Sequence, residues 1–152
     1  MEIHADAERL WNEALAHFDA RRQSAAEACC QRAIALAPEW TLPHALLAHL
    51  FHLRGLLRPS KFHAFEACRK IRGSHWKDIL WVSTMMLNVD ERQLAREVLS
   101  VIDPHDPAHH EGLSDIARQF GAVGDEPSAR YFRDLAERVS ARGKPLKLPA
   151  HS

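Results

Sequence analysis

Apolar and polar positions along this chain recur at helical, not strand, spacing, in pairs of short segments separated by turn residues. In the first pair Leu10, Trp11, Ala14, Leu15 and Phe18 share one stripe, with Asp6 as a candidate N-cap. Ser24 is placed to cap a partner helix holding Ala26, Cys30, Ala33, Ile34 and Leu36, which Pro38 ends. The second pair starts with Thr41 as cap and Pro43 in the first turn. Its Leu42, Leu46, Leu50, Leu53 and Leu56 leave almost no polar side, as expected of a helix sandwiched by others. Gly55 closes that helix, Pro59 opens the next, and Gly73 is the candidate C-cap near its end.

The third pair begins after Ser74, passes Trp76 to Leu87, and has Asn88 as the candidate left-handed terminator. Asp90-x-x-Gln93 reads as a capping box for its partner, which runs through Leu94, Val98 and Ile102 to Pro104. In the fourth pair Asp106 and Pro107 lead into a helix striped by Leu113, Ile116, Ala117 and Phe120. Gly124-Asp125 then turn the chain into a last helix with Ala129, Phe132, Ala136 and Val139 on one side and Arg130, Arg133, Glu137 and Arg138 on the other. The pairs span residues 5–39, 40–73, 74–105 and 106–142, and the Pro- and Lys-containing tail, 143–152, is expected to be disordered.

These landmarks return at a near-constant interval. Phe51 follows Phe18, and Asn88 follows Gly55, by 33 residues; Pro104 follows Pro38 by 66. The fourth pair, Leu113-x2-Ile116-Ala117-x2-Phe120, Gly124-Asp125, Ala129 and Ala136, resembles a tetratricopeptide repeat, a helix-turn-helix unit of about 34 residues. The second pair keeps the pattern well. The first departs at its turn, where Arg21-Arg22 replace Gly-Asp, and the third keeps least. The resemblance implies an all-α, right-handed superhelical solenoid over residues 5–142, whose first helices line a concave groove that takes a peptide or helix of another protein.

Charge changes this picture little. Lys plus Arg and Asp plus Glu are 20 each, so nothing global pulls the chain toward nucleic acid or an anionic membrane. The N-terminus lacks a secretory pattern, and no run approaches the roughly 18 apolar residues of a membrane span, so a cytoplasmic location is expected. The 3 cysteines, two of them adjacent at Cys29-Cys30, read as buried apolar residues and not as a disulfide framework.

By register, the groove implied by the resemblance takes Arg9, Asn12 and Glu13 from the first pair and Leu46, His49 and Leu53 from the second. The third supplies Lys77, Asp78 and Trp81, the fourth Asp115 and Arg118. Trp81 is the expected anchor, weighed against core packing, because large aromatics carry much interface energy. A carboxylate clamp has too few matching residues beyond Arg9 and Asn12. A second surface lies on the helix from Arg58 to Arg72, where Arg58, Lys61, Arg69 and Arg72 form a stripe with Phe65 among them and Phe62 beside it. It reads as a binder of an acidic partner or nucleic acid, or, more plainly, as a solvated face whose aromatics tuck under a neighbour.

The 11 histidines include His49 with His52, and His105, His109 and His110 beside Glu111, but neither group has metal-ligand spacing with cysteine, and no metal is expected. No phosphate loop or nucleophile motif is present, so neither an enzyme nor a cofactor is expected. The expectation is a non-catalytic adaptor, scaffold or chaperone, with self-association into a homodimer as the structural alternative.

Overall fold

Four times along the chain a helix ends in the same way. The computed structural model describes residues 3–103 and 105–143, and within them α1 (Ala5–Asp19), α3 (Thr41–Leu53), α5 (Trp76–Asn88) and α7 (His110–Ala122) are each followed by a left-handed residue. Those residues are Arg21 (φ 62°), Gly55 (φ 73°), Asp90 (φ 61°) and Gly124 (φ 82°). At each turn the next amide reaches back five residues: Arg22 N to His17 O (2.8 Å), Leu56 N to Phe51 O (2.9 Å), Glu91 N to Met86 O (2.8 Å) and Asp125 N to Phe120 O (2.9 Å). This Schellman closure satisfies carbonyls that the helix end would orphan.

The turn sends the chain into an antiparallel partner: α2 (Gln23–Leu36), α4 (Leu57–Arg69), α6 (Arg92–Leu99) and α8 (Glu126–Gly143), with a short 3-10 turn, Pro107–His109, before α7. Each first helix packs on its own partner, giving four hairpins. Among the described residues there is no strand, and no helix is long and apolar enough to cross a membrane.

Small residues let the helices of each hairpin approach. Ala14, Ala48, Ser83 and Ala117 on the first helices, and Ala26, Ser60, Ala95 and Ala129 on the second, are all buried and recur at intervals of 34, 35 and 34 residues. The left-handed residues keep the same intervals. Ser60 Oγ donates to Ala48 O at 2.7 Å and Ser83 Oγ to Ala95 O at 3.4 Å, so the two serines each find a carbonyl on the facing helix. A further repeat-equivalent pair ties first helix to second: Thr41 Oγ1 donates to Ala67 O at 2.7 Å, and His110 Nδ1 bonds Ala136 O at 2.8 Å.

Several expectations shift by a residue or more. The interval is not 33, because Phe51 is the counterpart of His17, not of Phe18. Asn88 stays helical, and Asp90 takes the left-handed place, so Asp90 ends α5 instead of capping α6. Pro104 lies outside the described residues, as does the tail beyond Gly143. His4 and His75, not Asp6 and Ser74, cap α1 and α5, their Nδ1 atoms accepting from Asp6 N (3.0 Å) and Lys77 N (3.2 Å). Thr41 and Ser24 lie inside their helices, and Leu57 opens α4 with Pro59 in its first turn.

The chain divides into two compact units, one ending at Val101 and the other beginning at Ile102. In the first unit α3 packs against α2 and α5 as well as α4, and α4 packs against α6. This is why α3 is apolar nearly all round: Leu46, Leu47 and Leu50 are fully buried. Arg54 at the end of α3 also reaches Glu27 of α2 with bonds of 2.7 and 2.8 Å from one nitrogen. In the second unit Phe120 stacks on Phe132, centroids 5.3 Å apart, between α7 and α8.

Candidate functional site

Three tryptophans from three hairpins meet in the first unit. Trp11 stands mid-α1 and is buried, its ring edge-on to Trp40 (centroids 5.9 Å apart, 64°) and to Trp81 of α5 (5.5 Å, 85°). Edge-to-face geometry sets the positive rim of one ring against the negative face of the next, favourable by about 0.5–1.5 kcal/mol per pair beyond area burial. Trp40 is the residue before α3, held there by its amide bonding Ala37 O at 3.1 Å in the turn that follows α2. Trp40 and Trp81 remain part-exposed, so the cluster is a floor with two accessible rims.

Trp40 also walls a cleft of about 520 Å³, together with Thr41, Lys70, Arg72, His75 and Asp78. The cleft opens where α3 and α5 begin and α4 ends. Lys70 is nearly enclosed and lies 3.2 Å from both Glu39 and Glu66, so its charge is already met; Arg69 pairs with Glu66 at 2.9 Å. Arg72 has no ion pair among the described residues. Burial raises the carboxyl of Asp78 above its ordinary range, and the His75 imidazole beside it opposes that rise. The cleft thus joins an aromatic wall, a guanidinium with no ion pair among the described residues and a part-buried carboxyl.

The structure scatters some of the expected groove residues and gathers others. Asp78 lines the cleft, and Trp81 lies one turn on. Arg69 and Arg72, expected on a separate basic surface, line the same cleft. Arg9 and Asn12 are exposed on α1; Arg9 lies between Glu13 (3.1 Å) and Asp6 (3.8 Å). Leu46 is 0% exposed and belongs to the core, because α3 is covered by helices on several sides. His49 is part-buried, its ring edge-on to Phe18 at 5.5 Å, and its Nδ1 has no hydrogen-bond partner among the described residues. Leu53 is exposed, and the Lys77 ammonium lies 5.6 Å over the Trp76 ring. In the second unit Arg118 pairs with Asp115. Phe62 and Phe65 do not tuck under a neighbour: they stand 58% and 49% exposed beside Arg58 and Lys61.

Two features escaped the sequence reading. Trp40 stands just outside the apolar spacing of α3, in a turn around Pro38 that fixes its direction. His44 and His63, 19 residues apart on α3 and α4, form an internal pair with Nδ1 atoms 3.0 Å apart, and His63 stacks on Phe51. His44 Nε2 lies 3.4 Å from Pro38 O, so its Nδ1 serves as acceptor and His63 donates. Burial, and then His44, push the His63 imidazole down to about 4; burial also lowers His44, against the Pro38 hydrogen bond. The histidine group at 105–110 serves the backbone instead: His109 Nδ1 bonds Asp103 O at 2.8 Å, and His110 bonds α8.

Burial likewise pushes the Cys30 thiol up to about 12, so it is a neutral apolar side chain. Among the described residues no three His, Cys, Asp or Glu side chains are gathered to hold a metal. No family model matches the chain, and no curated protein matches it significantly.

Proposed function

We propose that the chain is a non-catalytic protein-interaction module of tetratricopeptide type, with the first unit a right-handed solenoid that binds a peptide or helical segment of another protein. The 34-residue hairpin, with small residues facing across it and a left-handed turn at its tip, supports the repeat reading. The observation that carries the binding site is the Trp40–Trp11–Trp81 cluster, part-exposed at Trp40 and Trp81, with Trp40 walling the charged cleft. Large aromatics at a concave surface are the usual anchors of an interface, and the surrounding charges supply register. The partner segment lays an apolar side chain against Trp40 and Trp81 and sets backbone or side-chain groups toward Arg72 and Asp78. Adaptor, scaffold and holdase roles all use such a surface.

The test is affinity capture from the source cell with the wild-type chain and with Trp40→Ala/Asp78→Lys, both checked for helicity by circular dichroism. A protein held by the wild type and lost by the variant is expected. Identical captured sets from two equally folded chains would sink the reading.

A further inference from the structure

The outer face of α4 is a second surface, separate from the tryptophan cluster. Its inward residues, Ser60, Ala64, Ala67 and then Ile71, are buried against neighbouring helices, which leaves Leu57, Arg58, Lys61, Phe62, Phe65 and Arg69 outside. Leu57 is 64% exposed, more than either phenylalanine. Three large apolar side chains on three exposed turns are unusual for a helix that already has a dry side. Arg58 and Lys61 have no ion pair among the described residues, and Arg69 alone is matched, by Glu66 at 2.9 Å. The face is therefore apolar and net positive in a chain whose total charge is zero. Beside Phe65 it descends into a groove of about 300 Å³ toward α6, walled by Ile71, Arg72, Val101 and Glu97. Glu97 there accepts from the Cys68 thiol at 3.6 Å.

We propose that this face docks an acidic amphipathic helix of another protein. Leu57 to Arg69 is 13 residues, so the face is about 18 Å long at helical rise and fits a partner of about three to four turns. The partner's leucine or aromatic stripe covers Leu57, Phe62 and Phe65 and sends one side chain into the groove, and its carboxylates meet Arg58 and Lys61. Single-stranded nucleic acid fits less well, because an aliphatic leucine offers no stacking plane and Glu97 faces the groove. The surface stands whether or not the tryptophan cleft binds anything.

The probe is a fluorescein-labelled 14-residue peptide with Leu and Phe on one helical stripe and Glu flanking it, titrated by anisotropy into the full chain. Saturable binding is expected, falling as salt rises from about 0.05 to 0.5 M. Arg58→Glu/Lys61→Glu, both at exposed positions, should weaken it by roughly tenfold or more, and Phe65→Ser by a similar factor. Trp40→Ala/Asp78→Lys should leave it unchanged, which separates this site from the cleft. Four results would overturn the proposal: no saturation up to roughly millimolar peptide, equal binding by the charge-reversed Lys peptide, tighter binding of an oligothymidylate of equal length, or a dimer by light scattering that Arg58→Glu/Lys61→Glu dissociates.

Discussion

The second and fourth hairpins share a backbone plan and differ in what fills it. Both turn at a glycine, Gly55 or Gly124, and both tie the start of the first helix to an alanine carbonyl on the second, through Thr41 or His110. Within that common frame the fourth hairpin is filled by stacked phenylalanines, and the second by leucines and a pair of imidazoles. The repeat thus prescribes where helices touch and where the chain reverses, and leaves the chemistry of the filling free.

The largest break in the comparison is Phe120→Ala, which removes the ring at the centre of the fourth hairpin and should cost about 3–5 kcal/mol in urea unfolding. A loss under about 1 kcal/mol would mean that the stack does not hold α7 to α8. Acid comes next and strikes the second hairpin. His44, His49 and His63 all have folded values below the ordinary 6.5, so the unfolded chain binds protons more readily. Their contribution is complete above about 6.5 and is lost as pH falls toward the His63 value of about 4. Urea midpoints across that range should drop, and His44→Leu/His63→Phe should flatten the slope; an unaltered slope would clear the pair of responsibility.

Thr41→Val keeps the shape of the side chain but leaves the buried Ala67 carbonyl unpaired, for about 1–3 kcal/mol by the same measurement. The turns should give the smallest and most diagnostic differences. An added Cβ meets nothing within 4 Å at Gly55 or Gly124, so only the left-handed backbone resists it, and either glycine to alanine should cost about 1 kcal/mol. Arg21→Gly and Asp90→Gly should run the other way, with gains of up to about 1 kcal/mol in melting experiments. If all four turns respond alike, their shared geometry is not what sets their energy.

The helices were legible because three- and four-residue apolar spacing survives in every segment, even where α3 is apolar all round. Cap chemistry was less so: a histidine Nδ1 can do the work of an aspartate, and Thr41 spends its hydroxyl on a distant carbonyl. The interval was misread by one residue or two because aromatic and turn-residue identity was followed, whereas the recurring geometry runs through small buried residues such as Ala14 and Ala48, which mark no chemistry of their own. Of the residues at the cleft and the tryptophan cluster, Asp78 and Trp81 could be named from register. Trp40 and the His44–His63 pair could not, since they depend on how segments far apart in sequence meet.

One irregularity in the spacing has a practical outcome. Between Ala33 and Ala48 there are 15 steps, but between Ala67 and Ser83 there are 16, and the surplus residue falls by the turn that holds Gly73 (φ 81°) and walls the cleft. A chimera that splices extra hairpins into the first unit can therefore join them after α2 in step with the native count, whereas a junction after α4 trimmed to the common length would shorten the turn that walls the recess and leave every α-helix intact.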